Sequence, residues 1–386
     1  MAKYRIMAGL AGVALCAASA RAEIAPLVLP VAEAELILGG SAEGALFSAS
    51  QPGNEAVASG IVRFSPVLTR NYDTGFSWSL KSTLAASDPL SRGRYDGDVL
   101  EKAYAESRLF FGTVRLGMTD GAAYNLAVTG PRAGLSLDDA QTSFFRDPAT
   151  GRAVTSMFAL RTPVSGSSNY AKIVLESTDL LGVQVAISFT PSEGKNVLPF
   201  LAAGPQVPGR QAAMWEGAIR YSDSLGPVNI VASVAGVFAR SEHKLPGQRG
   251  LSDYGFGLRA DYPVDDMLSL SLGGSWRQSN AYAFDINRAT GNAATTAMDV
   301  SGGASYGDWS FALEYGDGQA NAIPGAPRLS LSGKQASLRY VFDESFAISA
   351  GWQHQNYNRD SGAFFDGSRR LSLDAFFVQL SVKTIQ

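Results

Sequence analysis

The chain has 386 residues, of which 46% are hydrophobic, with one cysteine, two histidines and a formal net charge of −3. A balance this close to neutral, with no basic block, excludes the electrostatic footprint of a nucleic-acid binder. The lone Cys16 excludes a disulfide framework or a cysteine-held metal, and His243 and His354 are too far apart to suggest a histidine metal site, so no cofactor is expected.

Lys3 and Arg5 precede a short apolar run, Ile6 to Ala18, and Ala20-Arg21-Ala22 is a small-x-small cleavage pattern before Glu23. This is the signature of a secretory signal peptide, so residues 1–22 are expected to leave and residues 23–386 to form the mature protein. Loss of Lys3, Arg5 and Arg21 takes the formal charge from −3 to −6, and Cys16 leaves with the signal. Export without disulfides means that stability must come from extended pairing or a large core.

The rest of the chain reads as short strands. Large apolar residues take every second position, as in Trp309-Ser-Phe311-Ala-Leu313-Glu314-Tyr315, and a strand has a side-chain period of two. In chain order the pattern predicts strands near 35–48, 56–70, 75–86, 99–110, 112–119, 168–178, 182–191 and 211–223. It continues near 227–241, 250–262, 267–281, 295–306, 308–316, 330–342, 346–358 and 371–384, about sixteen in all.

Tight polar turns, such as Ser222 to Gly226, Pro263 to Asp266, Tyr306 to Asp308 and Asp343 to Ser345, alternate with longer polar stretches at 192–210, 241–250, 282–294, 317–329 and 359–370. One face of each strand is apolar, for example Val183, Val185, Ile187 and Phe189, or Phe376, Val378, Leu380 and Val382. The opposite faces carry Ser77, Ser79 and Lys81, or Gln335, Ser337 and Arg339. Burying Lys81, Arg259, Arg277 and Arg339 without partners would cost several kcal/mol each. An all-β transmembrane barrel of about sixteen antiparallel strands, lipid outside and water inside, satisfies every face. After the signal no apolar run reaches the ~18 residues of a membrane helix, and a barrel strand does not need one.

The rhythm fails from about 119 to 155. A structureless stretch of that length in a compact protein is usually functional, and in a wide barrel it has room to fold into the lumen and narrow it. It carries Asp120, Asp138, Asp139 and Asp147 with Arg132, Arg146 and Arg152.

Ala103-Tyr104 followed by Phe111-Gly112-Thr113-Val114-Arg115-Leu116-Gly117 resembles the strand pair before the constriction loop of Gram-negative general porins. Leu181-Gly182-Val183 to Phe189-Thr190-Pro191 looks like the strand after it. The resemblance implies a sixteen-stranded homotrimer in the cell outer membrane, in contact with lipid and lipopolysaccharide. It also implies that acids of an inward-folded third loop (Asp120, Asp138, Asp139, Asp147) face basic residues of the wall (Arg63, Lys81, Arg108, Arg115) across the narrowest point. Many members end in Phe; this chain ends Lys383-Thr384-Ile385-Gln386, a departure at the targeting signal.

The expected function is passive diffusion of ions and small hydrophilic solutes, with no enzyme activity. Two alternatives stand beside it: a sugar- or organic-acid-selective channel, which aromatic ladders in the lumen would favour, and a secreted β-rich binding protein or enzyme. Gly303-Ala304-Ser305-Tyr306-Gly307 fits the G-x-S-x-G pattern of hydrolases, but it sits beside a turn between two strands, where an elbow requires a strand followed by a helix. Asp138-Asp139 and Asp265-Asp266 could be read as glycosidase carboxylates; loop and turn positions account for them more simply.

Overall fold

The computed structural model describes residues 24–50, 57–87, 100–137, 160–167, 169–192, 211–241, 250–280, 295–321, 328–360, 362–364 and 366–384. The expected signal segment with Cys16, and His243, lie outside the described residues. The strands are β1 (Leu27–Val31), β2 (Ala34–Ala49), β3 (Val57–Asn71), β4 (Ser77–Ser87), β5 (Leu100–Leu109) and β6 (Gly112–Met118). After a one-turn helix, α1 (Ala122–Asn125), come β7 (Ala171–Ser177), β8 (Val183–Ser192), β9 (Gln211–Leu225), β10 (Val228–Ser241) and β11 (Ser252–Pro263). The set ends with β12 (Leu268–Ser279), β13 (Thr295–Tyr306), β14 (Trp309–Asn321), β15 (Arg328–Val341), β16 (Phe346–Arg359) and β17 (Arg370–Lys383).

From β2 to β17 each strand pairs antiparallel with the next, and β17 returns to β2 with Ala375 opposite Ala49 and Lys383 opposite Ser41. The sheet is therefore a closed barrel of sixteen strands, the number expected from the alternation. Closure leaves the barrel no open edge in lipid, where an unpaired backbone group would cost several kcal/mol.

β1 is the one strand the pattern did not predict. Its sequence Leu-Val-Leu-Pro-Val is apolar throughout, so it shows no alternation, and all five residues are exposed. It pairs with the start of β2, Leu27 opposite Leu38 and Val31 opposite Ala34, just past the point where β17 ends. The two strands thus lie end to end along one edge of β2. Gly40 N–H donates to Thr384 Oγ1 at 3.0 Å and Thr384 N–H to Gly40 O at 2.9 Å, which fixes the seam.

The apolar faces point outward. Leu80, Leu116, Leu258, Leu272, Val300, Leu313 and Leu338 are all exposed, which only a lipid environment explains at this density. Aromatic residues flank this band. Trp309 and Tyr340, with ring centroids 4.6 Å apart, sit by the short turns, and Phe189 with Trp215, 4.7 Å apart, sit towards the long loops.

Two boundaries differ from the sequence reading. The polar stretch 317–329 is partly strand: β14 runs to Asn321 and β15 begins at Arg328, with Asp317 and Gln319 extending one face of β14 in polar form and Gly316 and Gly318 the other. The third loop is longer than 119–155, since β6 ends at Met118 and β7 starts at Ala171. In the added part Leu160 and Val164 are buried against the inside of the barrel, so their strand-like spacing packs a loop instead.

Candidate functional site

The described residues of the third loop, 119–137, 160–167 and 169–170, lie inside the barrel and follow its wall. The loop backbone is hydrogen-bonded by polar side chains at inward positions of successive strands. Ser188 Oγ on β8 accepts from Ala122 N–H at 3.1 Å, Glu216 Oε2 on β9 from Ala123 N–H at 3.1 Å, and Ser233 Oγ on β10 from Val128 N–H at 2.9 Å. Further round, Glu314 Oε2 on β14 accepts from Leu137 N–H at 3.3 Å, and Gln335 Nε2 on β15 donates to Leu135 O and, at 2.8 Å, to Glu314 Oε1. The returning limb is held by Thr162 Oγ1, which donates to Asp299 Oδ1 at 2.7 Å, and by Arg277, which donates to Arg161 O at 3.3 Å.

Glycines at inward positions let the loop press against the strands. At Gly257 of β11 a Cβ would collide with the Val128 carbonyl, and at Gly303 of β13 it would lie 3.0 Å from Pro131 Cβ. Two apolar clusters seal the contact. One joins Ala122, Ala123 and Leu126 to Met214, Ala218 and Val237; the other joins Leu135, Leu137 and Leu160 to Phe47, Leu331, Tyr357 and Phe377. Arg277, expected on a wet face, is enclosed here as a pair with Asp253 through two 2.7 Å hydrogen bonds, because the loop covers them.

The inward faces of β2 to β6 form the opposite side of the lumen. They carry all four basic residues expected at the constriction. Arg63 donates through Nε to Glu101 Oε2 at 2.9 Å and through Nη1 to Glu43 Oε1 at 3.4 Å. Lys81 Nζ donates to Glu106 Oε1 at 2.8 Å, Arg108 Nε to the same oxygen at 3.3 Å, and Arg115 Nε to Glu106 Oε2 at 2.8 Å. Arg115 Nη1 continues to Glu176 Oε2 on β7 at 2.9 Å.

The described partners of these cations are therefore acids on the wall. Of the loop acids, Asp120 lies at the loop's root and accepts from Lys102 Nζ of β5 at 2.5 Å. Asp138, Asp139 and Asp147, with Arg146 and Arg152, lie outside the described residues. Arg132 donates to Ser136 Oγ at 3.0 Å within the loop itself.

Reading for cations alone missed Glu43, Glu101, Glu106 and Glu176, and also Lys102. The signal was present: Lys102, Tyr104, Glu106 and Arg108 share one parity of β5, and alternating charge on an inward face calls for cross-strand ion pairs. The loop anchors were equally visible as Ser, Gln, Glu and Gly at inward positions of β8 to β15, but nothing in one strand says which backbone it will meet.

Gly303 to Gly307 ends β13 and turns directly into β14, so Ser305 lies on a strand, where its hydroxyl is 3.3 Å from that of Ser310. His354 stands on the outer face of β16 with Nδ1 2.9 Å from Asp374 Oδ1. Asp265 is a turn residue: it accepts from Leu268 and Met267 N–H at 2.8 Å each, which holds its carboxyl below the usual range.

Solved structures with this architecture include OmpF of Salmonella typhi in complex with daunomycin (11% identity, TM-score 0.61, covering 92% of this chain and 100% of that one). An anion-selective porin from Comamonas acidovorans has 12% identity, a TM-score of 0.58, and coverage of 91% and 100%. The trimer form of the outer-membrane protein OmpT of Vibrio cholerae has 10% identity, a TM-score of 0.56, and coverage of 91% and 99%. At such identities the likeness is one of fold. No curated protein matches the chain by sequence. The family model of Gram-negative porins matches residues 9–328. That match spans most of the chain, and it assigns the protein to the Gram-negative porin family: a passive, water-filled channel of the outer membrane.

Proposed function

We propose that ions and small hydrophilic solutes cross between the third loop, seated on β8 to β17, and the charged wall of β2 to β6. The observation that carries this reading is the one-sided seating of the loop: its anchors among the described residues run from Ser188 to Gln335, while Arg63, Lys81, Arg108 and Arg115 project from the opposite side of the lumen. Arg63, Lys81, Arg108 and Arg115 form the wall side of the constriction, and Asp120, with Asp138, Asp139 and Asp147, the loop side. Charged and small polar groups on the open wall favour water and hydrated solutes over one sugar or organic acid.

The working unit in this reading is a homotrimer set in outer-membrane lipid and lipopolysaccharide, supported by the trimer form of the Vibrio cholerae relative. The channel has no catalytic role. Signal cleavage after Ala22 belongs to the same reading, because the outer membrane is reached by export.

Reconstitution in a planar bilayer tests the proposal. Stepwise conductance in groups of three is the expected result, and correctly folded protein that never conducts would sink it. A second measurement concerns the loop: replacing Asp138 and Asp139 with Asn lowers cation preference if those acids border the path.

A further inference from the structure

Glu106 occupies the middle of the open wall. Its side chain is 5% exposed, and its two oxygens accept from three cations on three neighbouring strands: Lys81 of β4, Arg108 of β5 and Arg115 of β6. Among the described residues it is the sole acid paired with Lys81 or with Arg108, whereas Arg115 also reaches Glu176. The cluster thus sets three cations against two acids. Arg108, 67% exposed at its side chain, is the member most open to the lumen.

Position links this group to the loop. Glu106 lies opposite Arg115, Arg115 opposite Val174, Val174 opposite Ser188, and Ser188 opposite Glu216. Ser188 and Glu216 are the residues that hold the start of the loop. One cross-strand row of the sheet therefore runs from the cation cluster to the strands that hold the root of the loop.

We infer that Glu106 is a specificity-determining residue that sets the ion preference of the channel. Its single negative charge is enclosed by cation donors, so it offsets their charge while presenting almost none of its own surface to a passing ion. With Glu106 in place the open wall carries paired charges; without it, Arg115 keeps Glu176 while Lys81 and Arg108 lose the acid they are paired with among the described residues. A cationic patch in a narrow aqueous path raises the local concentration of anions and lowers that of cations. The inference rests on the channel reading above and adds to it the residue that tunes which ions pass.

The test is the reversal potential of the full-length protein in a planar bilayer under a KCl gradient. Glu106→Gln removes one unit charge from the open wall. With screening over a Debye length of about 10 Å at ~0.1 M salt, chloride-over-potassium permeability should rise about threefold. Glu106→Asp, which keeps the charge, should restore the original reversal potential. Arg108→Gln, at an exposed position with no packing role, should move the ratio towards potassium. Conducting Glu106→Gln channels with an unchanged reversal potential would overturn the inference, and so would an unchanged Arg108→Gln channel. Should Glu106→Gln fail to assemble, the Arg108→Gln measurement decides alone. A parent protein that folds and does not conduct refutes the channel reading itself, an outcome distinct from either.

Discussion

The two halves of the lumen wall are built from the same strand alternation and do different work. Inward residues of β8 to β17 that lie under the loop are Ser, Gln, Gly, apolar groups and enclosed charges, and several bond loop backbone groups: Ser188, Glu216 and Ser233 accept, and Gln335 donates, while Arg259 and Asp261 on the same half pair with each other. Inward positions of β3 to β6 carry long charged side chains whose partners are one another. A backbone amide needs a short, fixed acceptor, and a loop lying on the wall needs glycine where it touches. A wall facing water can instead hold mobile ionic groups whose charge the solute feels. The comparison teaches that inward polarity alone does not define a pore lining. The type of polar group separates the seat of the loop from the path.

The largest effect should come from filling the seat. Gly257→Leu places a side chain where the Val128 carbonyl lies, and backbone cannot yield as a flexible side chain can. Overpacking of this kind costs about 1–3 kcal/mol. The variant should melt earlier in detergent and show a changed single-channel conductance as the loop shifts. Next comes the polar clamp at β14 and β15. Glu314→Ala and Gln335→Ala each leave a loop group without its partner, at about 1–3 kcal/mol, and because the two side chains also bond each other at 2.8 Å the double variant should be less than additive. A thermal-melting cycle measures that coupling, and strict additivity would break the picture of a shared clamp.

On the open wall the outcome should invert. Arg63→Gln should change ion selectivity towards cations while leaving the melting temperature within a degree or two of the parent. Its ion pairs are partly exposed, and such pairs contribute about 0–1 kcal/mol. A large stability loss there would erase the distinction between the two halves. The smallest effect is expected at the loop's root. Lys102→Gln breaks the contact with Asp120, again a part-exposed pair worth about 0–1 kcal/mol. A small drop in loop protection against proteolysis would be its signature.

Much of this was legible in the sequence, for identifiable reasons. Strands β2 to β17 were readable because a barrel with lipid outside and water inside makes every strand alternate, and the loss of alternation marked the loop. β1 was not readable, since Leu27-Val-Leu-Pro-Val31 is apolar on both faces and periodicity has nothing to detect. The seating of the loop was hidden because it depends on contacts such as Leu137 with Glu314, 177 residues apart in the chain. Arg63, Lys81, Arg108 and Arg115 were found as cations; Glu106 was overlooked because attention to opposed charge across the lumen left out charge along the wall.

The seam at β2 has a consequence for how the barrel is made. One edge of β2 is shared by β1 and β17, with Leu27 opposite Leu38 and Lys383 opposite Ser41. The ring can therefore be completed only after the final strand is available, and until then β2 and β16 each present a row of unpaired amides and carbonyls. Such edges template pairing with other chains. Closure joins residues as distant as Gly40 and Thr384, 344 positions apart, and contacts at that separation form slowly. Ring closure is therefore the step that removes the last open edges of the barrel.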